Sequence, residues 1–113
     1  MKKYVLKIAE ADKDTFEFIK SGKKKVETRA GSVKYQNIKD EDVLILFCTG
    51  KKFEKRVKKV FHSNSIKELL KKYSPRTINP STNTEKELTE VYYGYPNYKE
   101  KIKKFGLLAF ELE

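Results

Sequence analysis

Strands at both ends of a short chain, with helices inserted between them, predict an α+β fold. Residues 2–9 alternate apolar and mixed positions, and Phe105 to Leu112 forms a second strand-length run. Val43 to Cys48 is an uninterrupted apolar stretch, whereas residues 66–73 and 88–95 repeat apolar side chains at helical spacing. Short strands without regular strand–helix alternation favour a small mixed β-barrel, closed or half-open, flanked by short helices. The 113 residues suit one domain, residues 1–113, and no linker, repeat or low-complexity segment divides them.

In the opening strand, Tyr4, Leu6 and Ile8 share one face. Asp12 or Asp14 can cap a short helix that buries Phe16 and Ile19, and Gly22 falls where a left-handed residue ends such a helix. Residues 25–30 read as a strand. Residues 31–41 read as a polar connection anchored by Tyr35 and Ile38. Val43–Cys48 should be buried on both faces, and Thr49-Gly50-Lys51-Lys52 signals a turn. Phe53 to Phe61 follows as a long strand, in which the opposite parity of Val57 and Val60 predicts a bulge or bend.

Ser63 or Ser65 caps the next helix, whose Ile66, Leu69, Leu70 and Tyr73 form an apolar stripe. Pro75 and Pro80 bracket an irregular segment. Thr84 and Glu87 make a capping-box pattern at the start of a further helix with Leu88, Val91, Tyr92 and Tyr95 inward, and Pro96 ends it. Lys99 to Lys104 reads as a basic connection to the last strand.

A net charge of +10 attracts polyanions without sequence information, so nucleic acid or an acidic membrane face is a natural partner, with a merely lysine-rich solvated surface as the competing explanation; RNA or a nucleotide is the partner expected here. One cysteine, Cys48, and one histidine, His62, exclude a disulfide framework and a thiolate or histidine-rich metal site. No cofactor motif occurs. The first residues lack a signal-peptide core and no segment is long enough to span a membrane, so a cytoplasmic protein is the expectation.

The densest chemistry lies in Ser21 to Arg29. Strand parity places Lys25, Glu27 and Arg29 on one face and Val26 with Thr28 on the other. Glu27 can orient Arg29 or a lysine through a charge-assisted hydrogen bond. Lys24, crowded by Lys23, Lys25 and Arg29, is a candidate for a lowered pKa and hence for a base or nucleophile. A solvated edge strand is the competing explanation. A second basic stretch, including Lys55, Arg56 and Lys58, interleaves with Phe53 and Phe61 as an RNA-contacting arm would. Tyr93 and Tyr98 are free to stack on a base. Ser81 to Thr84 offers either an anion site or plain helix capping.

The octapeptide Gly22 to Arg29 fits the pattern G-x-K-x-x-E-x-R, and it resembles the motif of the ASCH domain, part of the PUA-like superfamily. The flanking order agrees: a helix with Phe16 and Ile19, the Ile38–Phe47 stretch, Tyr95-Pro96 and the closing Phe105-Gly106-Leu107-Leu108-Ala109-Phe110. The resemblance implies a PUA-like β-barrel with a cleft lined by Lys24, Glu27 and Arg29 and turned by Gly22. It implies RNA binding, and in some relatives hydrolysis of modified nucleosides or RNA cleavage, with Lys24 and Glu27 catalytic if the chain is an enzyme. A role in an RNA-processing assembly with protein partners is a third class. Glu41-Asp42 stands where the family has Gly-Asp, which predicts an altered turn. The acetylcytidine amidohydrolases of the superfamily carry threonine in place of Glu27. Their second-half glutamate aligns near Pro80-Ser81, with Glu85 and Glu87 close by.

Overall fold

The computed structural model describes residues 1–113. Five strands form one mixed sheet: β1 (Lys3–Lys7), β2 (Val26–Ala30), β3 (Val43–Cys48), β4 (Lys51–Ser63) and β5 (Leu107–Leu112). The order is β1-β3-β4-β5-β2, with β1 and β3 parallel and every other pair antiparallel. The helices are α1 (Lys13–Ser21), α2 (Val33–Gln36), α3 (Ile66–Leu69), α4 (Pro75–Ile78), α5 (Glu85–Tyr93) and α6 (Tyr98–Phe105).

The long strand β4 organises the sheet. Its first half pairs with β3 and its second half with β5. The register shifts between Val57 and Lys59, which is the bulge foreshadowed by parity. The extra residue lets Val57 and Val60 pack against the same cluster.

Each face of the sheet has its own core. On one side Phe16 and Ile19 of α1 close over Leu6, Leu44, Leu46 and Phe110. On the other, Leu69, Ile78, Leu88 and Ile102 from α3–α6 cover Leu107 and Ala109. Strand β5 feeds both by alternation, so its continuous apolar run reflects burial on two faces.

Several expectations need correction, the first being that residues 31–41 are not only a polar connection but contain α2. The barrel does not close: β1 and β2 are the two edges of the sheet and share no ladder. The free-edge groups of β2 are satisfied by side chains instead. Val26 O accepts from Lys24 Nζ at 2.6 Å, Thr28 N donates to Glu27 Oε1 at 3.2 Å, and Ala30 N donates to Tyr98 Oη at 3.2 Å. With those groups occupied, no strand is needed on that edge.

Lys99–Lys104 is not a connection but most of α6, because Tyr98, Ile102 and Phe105 recur at i, i+4, i+7 beneath the lysines. The segment between Pro75 and Pro80 starts with the single turn α4, where Ser74 Oγ accepts from Thr77 N and Pro75 occupies the first turn.

The turn before β3 lacks glycine. Glu41 adopts φ +76°, the left-handed conformation a glycine would take without strain. Asp42 anchors it, its Oδ1 accepting from Lys2 N and its Oδ2 from Lys39 N, each at 2.9 Å. Gly106, at φ +76° and ψ −162°, joins α6 to β5, and a Cβ there would overlap the Ser63 carbonyl oxygen.

Two substitutions should therefore move stability in opposite directions. Gly106→Ala should cost about 3 kcal/mol or more, from backbone strain plus overlap. Glu41→Gly should gain about 1 kcal/mol, because the left-handed strain outweighs the exposed Glu41–Arg56 ion pair it removes. Urea-denaturation midpoints check both, and an unchanged midpoint for Gly106→Ala would contradict the packing at that junction.

Candidate functional site

The α1–β2 turn turns one lysine inward out of three. Gly22 ends α1 at φ +84°, its N–H donating to Ile19 O, and Lys24 N then donates to Phe18 O at 2.9 Å. Lys23 and Lys25 remain exposed, whereas Lys24 is 5% exposed. Its ammonium donates to Val26 O, to the Ile78 carbonyl at the end of α4, and faces Glu27 Oε1 at 3.4 Å. All three ammonium hydrogens thus have an acceptor.

Glu27, 6% exposed, sits between two cations. Its Oε2 accepts from Arg29 Nε at 3.2 Å and from Nη2 at 3.1 Å. Nη2 also donates to the Lys7 carbonyl at 3.1 Å, so this guanidinium spans the gap between the two sheet edges. Parity correctly paired Glu27 with Arg29, while Lys25 takes no part and Lys24 replaces it from the turn.

Burial pushes the Glu27 carboxyl up, but Lys24 and Arg29 outweigh it and hold it below its ordinary value. Burial likewise opposes the Arg29 charge, and Glu27 more than compensates, raising it. For Lys24 burial wins and the pKa is lowered. The cause is desolvation first; among neighbouring cations only Arg29 adds to it, and weakly.

These side chains form one side of a cavity of about 370 Å³. Tyr92, Tyr95 and Tyr98 from α5 and α6 form the opposite wall. The Tyr92 and Tyr98 rings are parallel at 6.0 Å, and Tyr95 meets Tyr98 edge-on at 5.3 Å. Tyr92 Oη hydrogen-bonds Thr28 Oγ1, tying the wall to β2. Burial raises all three phenols, Tyr95 to about 12, so they stay neutral hydrogen-bonding groups. Lys7 and Lys101 stand exposed at the rim, so four cationic side chains and two carboxylates, Glu27 and Asp12, line the space.

Lys24, Glu27 and Arg29 are thus brought together, whereas Gly22 forms the turn that places Lys24 and does not line the cavity. Of the other candidates Tyr98 lines the same cavity, and the rest lie elsewhere. Lys55, Arg56 and Lys58 are on β4 and do not line the cavity, and Arg56 is engaged by Glu41 and Glu113. Tyr93 is 47% exposed outside it, with Lys99 over its ring. The Ser81–Thr84 segment caps α5, with Thr84 Oγ1 accepting from Glu87 N at 3.1 Å. Sequence reasoning missed Tyr95 and Lys101 as lining residues, because placing them requires knowing that the chain breaks at Gly94 and restarts as α6.

The family model of the ASCH domain matches residues 11–113. The crystal structure of hypothetical protein PH0355 shares the fold with a TM-score of 0.84 at 33% identity, covering 100% of this chain and 98% of that one. The solution NMR structure of protein PF0455 from Pyrococcus furiosus gives a TM-score of 0.75 at 32% identity, covering 98% and 96%. No curated protein matches this chain. With the family model running from α1 to the end of β5, this chain belongs to the ASCH domain family.

Proposed function

We propose that the cavity binds a nucleotide of RNA, with the base against the tyrosine wall and its acceptor edge on Arg29. One observation carries this. Arg29 spends Nε and Nη2 on Glu27 and Lys7, which leaves both Nη1 hydrogens without a protein partner. A guanidinium locked in orientation with one free donor edge is suited to an acceptor pair on a base or phosphate. Lys24 has no such free hydrogen, so it and Glu27 act by positioning Arg29. Lys7 and Lys101 at the rim are suited to the phosphate, and the wider basic surface adds non-specific attraction.

A hydrolase acting on a modified nucleoside is favoured by a different observation: burial lowers the Lys24 pKa, as a catalytic base requires. Lys24 would have to release one of its three acceptors to take a proton, with Glu27 beside it as the proton carrier.

Three measurements test these roles. Fluorescence anisotropy of a labelled single-stranded RNA should show affinity falling with salt. Arg29→Ala should weaken it about tenfold or more, and Lys101→Glu should flatten the salt slope by about one. Salt-independent binding, or none at low salt, would overturn the binding role.

Turnover of N4-acetylcytidine separates the alternatives. A catalytic Lys24 requires activity that disappears in both Lys24→Ala and Lys24→Arg. A binding domain shows no turnover above buffer in the wild type.

The buried carboxylate also sets a pH dependence. Glu27's folded pKa lies below its ordinary value of 4.5, so the folded state holds fewer protons there than the unfolded chain. Its contribution is complete above pH 4.5 and is lost as pH falls through the folded value. Glu27→Gln should cost about 3 kcal/mol at neutral pH and flatten that acid decline in the urea midpoint. Parallel declines in both proteins would show that another carboxylate is responsible.

A further inference from the structure

A second hollow, of about 230 Å³, lies beside the main cavity. Tyr4, Val5 and Leu6 of β1 form one side of it, and Tyr35 and Ile38 the other. Its lining is mostly apolar, yet Lys7 and Lys34 stand exposed around it.

Two residues join the hollow to the main cavity. Lys7 lines both. Arg29, which lines the main cavity, donates to the Lys7 carbonyl and stands 5.8 Å from the centre of the Tyr35 ring. One guanidinium of the main cavity therefore contacts or approaches two residues that line the hollow. Lys34 Nζ stands 5.4 Å from the same ring. An apolar floor with an aromatic ring and two flanking cations matches a flat base attached to a phosphate. Exposed Val5, at 47%, leaves the β1 side open to solvent.

Given that the main cavity takes a nucleotide, we infer that this hollow takes the neighbouring nucleotide of the same strand, so that the unit recognised is a dinucleotide straddling Arg29 and Lys7. The phosphate between the two bases would then pass over Lys7, the one exposed cation common to both spaces. The hollow supplies stacking and charge, and the main cavity supplies the hydrogen-bonding edge of Arg29.

Isothermal titration with the four nucleoside 5′-monophosphates and the matching homodinucleotides tests this. In the wild type the preferred dinucleotide should bind about tenfold more tightly than its mononucleotide. Lys34→Ala should reduce that advantage and leave mononucleotide affinity unchanged. Tyr35→Leu, which keeps an apolar side chain in the core contact, should reduce it further. A dinucleotide that binds no better than the mononucleotide overturns the second subsite and leaves the first intact. An advantage that survives both substitutions also overturns it. Binding of neither ligand overturns the main-cavity assignment as well.

Discussion

A carboxylate buried between two cations organises the gap between the two edges of this sheet, β1 and β2, which share no ladder. Glu27 ties Lys24 on one side to Arg29 on the other, and these partners reach both sheet edges and the helical layer. Removing three charges from water is expensive, and an apolar replacement would in general be no less stable. What the ionic arrangement supplies is position. It satisfies the free edge of β2 with side chains, holds the turn after α1 against α4, and presents one guanidinium edge to an open cavity.

The same arrangement explains why a motif that reads as catalytic does so much structural bonding. A lysine donating to two backbone carbonyls and a carboxylate has every ammonium hydrogen engaged, while desolvation lowers its pKa. Glu27 accepts from both neighbours and from Thr28 N, so its oxygens are occupied too. Of the three, only Arg29 retains unspent donors. On the proposed reading, recognition would fall to the residue at the end of the chain of contacts, with the other two setting its angle.

Much of this was legible locally. The Gly22 cap, the β4 bulge and the Thr84–Glu87 capping pair each follow from residues within a few positions of one another. The shared face of Glu27 and Arg29 follows from strand parity. What escaped depended on distant partners or on masking. Lys24 lies in a turn, where parity has no meaning, and its acceptor Ile78 is 54 residues away. Helix α6 was hidden because four lysines outnumber the three residues that set its period. Whether the barrel closes cannot be read from strand number, since it turns on which side chains reach the β2 edge.

Charge and directed hydrogen bonding lie on different parts of this molecule. Most lysines are exposed, and several lie over aromatic rings, as Lys72 does over Phe61 and Tyr73 and Lys104 over Phe105. Attraction to such a surface would not distinguish one polyanion from another, because counterion release is indifferent to sequence. Discrimination requires a donor whose direction is fixed before the ligand arrives. Arg29 meets that condition only while Glu27 is ionised and buried beside it. If the cavity binds as proposed, stability and recognition share one carboxylate, and a change that weakens its hold on Arg29 should degrade both at once.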